Sequence, residues 1–169
     1  DPSVLEEIGL NKSDKFIIVR FVSWDAIHDI GHHGFTNPKE IISKLEPFGR
    51  VLITSEAKLD ADLEKYSIKV SPEKLHDLLC FATMYIGEGA TIASECAVLG
   101  TPALYVNSLR LGYLDEQEER YGLVYNFSNP EVAQEQMIAK ATELLQSHNL
   151  KEEWQRKRQR LLKEKIDVT

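Results

Sequence analysis

The chain has 169 residues, 43% of them hydrophobic, with 20 basic and 27 acidic side chains and a net charge of −7. That is enough apolar surface for one folded domain, which excludes a disordered tail. The acidic balance argues against broad binding to nucleic acid or to an anionic membrane, leaving room only for a local basic pocket. No apolar run approaches the ~18 residues of a membrane span and no signal peptide opens the chain, so a cytoplasmic protein is expected. Cys80 and Cys96 fall inside apolar helical patterns and read as buried free thiols, which fits a reducing compartment. The chain opens on Asp1-Pro2 rather than methionine, as a fragment of a longer protein would.

Lys15 to Val22 is nearly continuous in apolar residues, as in a strand buried on both faces. Asn37-Pro38 starts a helix whose inner face is Ile41, Ile42, Leu45 and Phe48, ended by Gly49. Val51 to Ile53 is a second strand and Tyr66 to Val70 a shorter third. Ser71-Pro72 begins a helix with Leu75, Leu78, Leu79 and Ala82 inward, and Met84 to Ile86 is strand four. Gly87 and Gly89 form a turn that opens, at Thr91, a helix with Ile92, Cys96 and Leu99 on one face. Gly100 occupies the left-handed position at its end and Pro102 stops it. Ala103 to Val106 is strand five and Val124 to Phe127 a sixth. Asn129-Pro130 caps a helix carrying Ala133, Met137, Ala141 and Leu144. A last helix over about 150–169 carries Leu150, Trp154 and Leu161, and its basic run Arg156 to Lys165 reads as a solvated face.

Strands alternating with helices predict an α/β fold: a Rossmann-like parallel sheet of about six strands with helices on both faces, in a single domain over 1–169. Ligands of such sheets bind beyond the carboxyl ends of the strands, where the strand order reverses. The loops expected there are Ser23 to Phe35, Gly87 to Thr91 and Asn107 to Gly122.

The glycine turn is the strongest chemical signal. Free backbone N–H groups and the helix dipole at a strand-turn-helix junction favour an anion, so a phosphate-bearing ligand is expected at Gly87, Gly89, Ala90 and Thr91. Glu95, one turn inside the helix, is its polar partner and can accept two hydroxyls such as those of a ribose; an ordinary solvated helix glutamate is the alternative. Glu88 would repel phosphate unless it points away. The acidic run Asp115 to Glu119 lies in the third loop; most of it is expected in water, with one or two residues able to meet sugar hydroxyls. In the first loop Asp25, His28, Asp29, His32 and His33 accompany Gly31 and Gly34. That density suits acid–base work or recognition of sugar and phosphate. A metal site there is less expected, because the spacing matches no ligand pattern, and a polar loop of capping or packing histidines remains open.

Gly89-Ala90-Thr91-Ile92-Ala93-Ser94-Glu95, followed by Leu99-Gly100-Thr101-Pro102-Ala103, resembles the donor-binding half of GT-B glycosyltransferases. The segment is similar to the N-acetylglucosaminyltransferase that forms lipid II and, more loosely, to the non-hydrolysing UDP-N-acetylglucosamine 2-epimerases. The chain as a whole, with Trp24 to Gly34 included, resembles a two-domain family of archaea and bacteria known as domain of unknown function 354. The resemblance implies that the turn and helix N-terminus hold a nucleotide diphosphate and that Glu95 holds the ribose. It implies a cleft shared with an N-terminal acceptor domain, to which the last helix crosses back, giving Trp154 a partner. Two departures stand out. The glycine-rich loop expected after the first strand is replaced by Trp24 to Gly34, and the epimerases' paired glycines become Ala90 and Thr91.

The sequence therefore points to the nucleotide-sugar-binding domain, UDP-sugar-like in its ligand, of a glycosyltransferase or sugar-nucleotide 2-epimerase. Asp25, His28, Asp29 and His32 would line the cleft, the nucleotide-sugar would be substrate, and no separate cofactor or metal would take part. The alternatives are a non-catalytic nucleotide- or sugar-binding domain and, behind it, a metal-dependent hydrolase built on His28, His32 and His33.

Overall fold

The computed structural model describes residues 1–22 and 34–165. β1 (Phe16–Phe21), β2 (Arg50–Ser55), β3 (Met84–Gly87), β4 (Ala103–Val106) and β5 (Val124–Phe127) form one parallel sheet in the order β2-β1-β3-β4-β5. The helices between and around them are α1 (Ser3–Glu7), α2 (Pro38–Leu45), α3 (Leu75–Phe81), α4 (Ala90–Leu99), α5 (Gly112–Glu119), α6 (Ala133–Leu145) and α7 (Leu150–Glu164). They cover both faces: α2 packs with α6, while α3, α4 and α5 pack side by side with α7 over α4. This is the expected Rossmann-like α/β fold, and its strands are the apolar runs. Ile17, Ile18, Val19, Met84, Tyr85, Ile86, Leu104 and Val106 are all fully buried, because a sheet covered on both faces needs apolar side chains at every position.

Two punctuation signals act as expected. The Asn37 side chain accepts the Glu40 N–H at 3.2 Å and caps α2 ahead of Pro38. Gly100 ends α4 at φ 79°, where any other residue would be strained.

Elsewhere the structure departs from the sequence reading. The third strand is reduced to one bridge: Ser67 pairs with Ile53, and the Ile68 N–H donates to the Ile53 carbonyl at 3.0 Å. The chain enters that bridge from a 3-10 turn over Glu64–Tyr66 and leaves it for Ser71-Pro72, so little length remains to extend the pairing. The inner stripe of α4 is Ala93, Cys96 and Ala97, with Ile92 and Leu99 on its half-buried flanks. Small residues on that stripe let the helix lie close on β3 and β4. Asn129-Pro130 makes a turn, and α6 proper begins at Ala133.

The acidic run lies in a helix rather than a loop. Leu114 seats α5 in the core, Asp115 pairs with Arg110 at 2.8 Å, Glu116 with Lys165 at 2.7 Å, and Glu118 accepts from Asn126 Nδ2 at 2.9 Å. Glu116 thus meets Lys165 at the end of α7, while Asp115 and Glu118 find partners near their own helix.

The cysteines differ. Cys96 is fully buried under α4, and burial, with the Glu95 charge behind it, pushes its thiol well above the usual range; Cys80 is exposed on α3. A thiol-reactive dye should therefore label one cysteine per native chain, at Cys80, and both only after denaturation. Rapid labelling of both in native protein would contradict the packing of α4.

Candidate functional site

The strand order reverses between β1 and β3. The chain goes from β1 outward to β2, then crosses back to β3 on the other side of β1. At that switch point, beyond the carboxyl ends of the strands, a cleft of about 570 Å³ opens. Arg20 and Tyr105 line it from the sheet, two members of a row in register across the strands, Thr54, Arg20, Gly87, Tyr105 and Asn126. Its walls include Gly89, Ala90 and Thr91 at the start of α4 and Asn107 after β4. A hollow of about 530 Å³ lies against β2 at Arg50 to Leu52, by the amino end of that strand.

Gly87 ends β3 and Gly89 is the N-cap position of α4. Neither has a positive φ, so the turn does not depend on the conformational freedom expected of them. Gly87 is required by space instead: a Cβ there would lie 2.0 Å from the Tyr85 hydroxyl oxygen. Tyr85 is fully buried, and burial pushes its phenol well above the usual range, so it stays neutral. Its hydroxyl lies 3.5 Å from the Gly89 carbonyl oxygen.

No side chain caps the N-terminus of α4, and no acidic residue stands in its first turn. The N–H groups there need partners from water or a ligand. Glu88, the acid that threatened an anion site, is 4% exposed and turned aside. Its carboxylate accepts the Val22 N–H at 3.3 Å and the Phe35 N–H at 3.0 Å. Gly34 makes room for that carboxylate, since a Cβ at 34 would lie 1.9 Å from Glu88 Oε2. Asn107 completes the arrangement: its Nδ2 donates to the Glu88 carbonyl at 3.1 Å and its Oδ1 accepts from the Leu109 N–H at 2.8 Å. Three chain segments at the switch point are thus joined through one glutamate.

Glu95 lies on α4 but outside the wall of this cleft. It faces α3, with its Oε2 2.9 Å from His76 Nε2, an ion pair when the histidine is protonated. That oxygen is shielded from solvent and has no hydrogen bond of good geometry, while the side chain as a whole is 35% exposed. Asp25, His28, Asp29, His32 and His33 lie outside the described residues. Among the described residues, no three His, Cys, Asp or Glu side chains converge as a metal site, and no helix is long and apolar enough to cross a membrane.

The sequence reading passed over Arg20, Glu56 and Asn107. One signal for Arg20 was available: it is the single charged residue within the strand Phe16–Phe21. Glu56 and Asn107 carried none, because their roles come from strands distant in sequence.

No protein-family model and no curated protein sequence matches the chain. Solved structures do, and they are GT-B glycosyltransferases. The wall teichoic acid polymerase TagF is 16% identical, with 95% of this chain covering 41% of that one at a TM-score of 0.54. The spinosyn rhamnosyltransferase SpnG is 13% identical, with 89% of this chain covering 42% of that one at 0.61. A variant of Os79 from O. sativa in complex with UDP is 18% identical, with 86% covering 36% at 0.53. The fold is therefore that of a GT-B glycosyltransferase domain, and the chain spans about two fifths of the length of these proteins.

Proposed function

We propose that this chain is the nucleotide-sugar-binding half of a GT-B-type glycosyltransferase, working with a second domain that presents the acceptor. The observation that carries this reading is the uncapped N-terminus of α4, open to a cleft at the switch point of a GT-B-like sheet, with the Glu88 carboxylate engaged by the Val22 and Phe35 N–H groups. Backbone groups of Gly87, Gly89, Ala90 and Thr91 would surround the diphosphate. Glu95, on the α3 side of the same helix, would accept the ribose hydroxyls. Asp25, His28, Asp29 and His32 would line the cleft near the sugar. A UDP-sugar would be the donor, as the resemblance of Gly89 to Glu95 and Leu99 to Ala103 to the enzyme that forms lipid II and the 2-epimerases implies.

In sugar transfer the bond from the anomeric carbon to the diphosphate breaks as the acceptor hydroxyl attacks. Negative charge then grows on the departing diphosphate. N–H groups fixed at the start of α4 would stabilise that charge without reorganising, and the cleft would hold the reacting atoms in line.

Calorimetric titration with UDP, UDP-N-acetylglucosamine and GDP, repeated on Glu95→Ala, tests the reading. Binding of UDP to the wild type is expected, weakened by on the order of 1–3 kcal/mol in Glu95→Ala through loss of charge-assisted hydrogen bonds. Wild-type affinity in that variant would remove Glu95 from the site. Absence of binding by all three ligands would refute the assignment.

A further inference from the structure

We propose that Arg20 is the side chain that receives the diphosphate of the ligand, and that Glu56 is the partner which the ligand displaces. The inference rests on the nucleotide-sugar reading above and adds to it a residue of β1 that lines the same cleft as the start of α4. An arginine inside a central parallel strand is costly to desolvate unless something compensates its charge. Arg20 side-chain exposure is 18%, yet its partners are modest. Nη1 donates to Thr54 Oγ1 at 3.3 Å, and Nη2 to Glu56 Oε1 at 2.8 Å. Glu56 lies past the end of β2 and is 51% exposed, so water screens the pair. A guanidinium has five donors in a planar fork matched to phosphate oxygens.

The surroundings point the same way. In the register row, Arg20 is flanked on its β3 side by Gly87, whose place is taken by the neutral Tyr85 hydroxyl rather than by an acid that could pair with the guanidinium. The same cleft holds the uncapped start of α4, a second centre of positive potential. The nearby acid Glu88 has its carboxylate bonded to the Val22 and Phe35 N–H groups. Two positive features share one cleft with two carboxylates, Glu56, half-exposed beside Arg20, and Glu88, engaged by backbone N–H groups. A doubly charged anion satisfies both at once, with Arg20 and the α4 N–H groups approaching it from two sides.

The test compares UDP with uridine, which lacks the phosphates, by ligand-observed NMR titration of the wild type, Arg20→Met, Arg20→Lys and Glu56→Gln. Arg20→Met is expected to lower UDP affinity about 10- to 100-fold while changing uridine affinity less than about 2-fold. Arg20→Lys should fall between, keeping the charge and losing the fork. Glu56→Gln should tighten UDP binding by about 2- to 5-fold, since it frees the guanidinium from a screened pair. Equal losses for UDP and uridine, or an unchanged ratio of the two, would show a purely structural arginine and overturn the proposal. If Arg20→Met does not fold, Glu56→Gln decides, with unchanged or weaker UDP binding overturning it. A wild type that binds neither ligand overturns the nucleotide reading together with this one, whereas UDP binding indifferent to Arg20 overturns this one alone.

Discussion

Trp154→Ala is expected to destabilise the domain by about 3–5 kcal/mol, read as a lower midpoint in urea denaturation. The indole is fully buried, and its Nε1 donates to the Leu123 carbonyl at 3.0 Å. The ring lies 6.3 Å from that of Tyr125, and Lys157 Nζ sits 3.9 Å from the indole centroid. Truncation removes a large packed surface and leaves the Leu123 carbonyl in the core without its donor. Trp154→Phe keeps most of the packing and loses the hydrogen bond, so about 1–2 kcal/mol is expected there. A cost below about 1 kcal/mol for the alanine variant would mean that α7 is not seated on this domain. The point bears on function, because the resemblance to GT-B proteins suggested that Trp154 meets a second domain. In the structure its partners are Leu123 and Tyr125 of the same domain. What α7 leaves outward is its charged face and Leu162.

The second large effect is expected at Glu88. Glu88→Ala should cost about 2–4 kcal/mol, since it leaves two part-buried N–H donors, those of Val22 and Phe35, without a charged acceptor. Amide exchange at Val22 and Phe35 should speed up more than exchange in β4 or α6, because the lost bonds are local. Glu88→Gln retains one carbonyl oxygen and should be intermediate. Uniform acceleration across the sheet, or no change at these two amides, would contradict the role of Glu88 as the tie between the exit of β1 and the start of α2.

These two residues show where reading the sequence reaches its limit. The apolar runs at 16–21, 84–87 and 103–106 announced buried parallel strands, since few other arrangements hide such segments on both sides. Asn37-Pro38 and Gly100 announced a helix start and a helix end, because capping and a left-handed φ are local requirements. Tyr66 to Val70 carries a similar apolar signal and makes only one bridge, because pairing depends on where the neighbouring turns deliver the chain. The acidic run of α5 looked like a solvated loop, and it is a helix with Leu114 seated in the core and Glu116 paired with Lys165.

The candidate site divides the same way. The glycine turn before a helix was visible as an anion-binding pattern because its chemistry lies in consecutive residues. That Gly87 is needed for space beside Tyr85 rather than for its φ was not visible, since it depends on a side-chain position. Glu88 read as an obstacle, and only the return of the chain at Phe35 shows it turned aside. Glu95 read as a helix residue that partners the ligand of the turn, and the packing of α3 on α4 sets it beside His76.

By itself the sequence determined the alternation of strands and helices, the parallel sheet and the position of the α4 junction, because these follow from hydrophobic period and local capping. The tertiary structure alone decided which side chains share the cleft. Arg20, Glu56, Glu88 and Asn107 come from four separate segments, and their association is set by strand order and register, which no local pattern encodes.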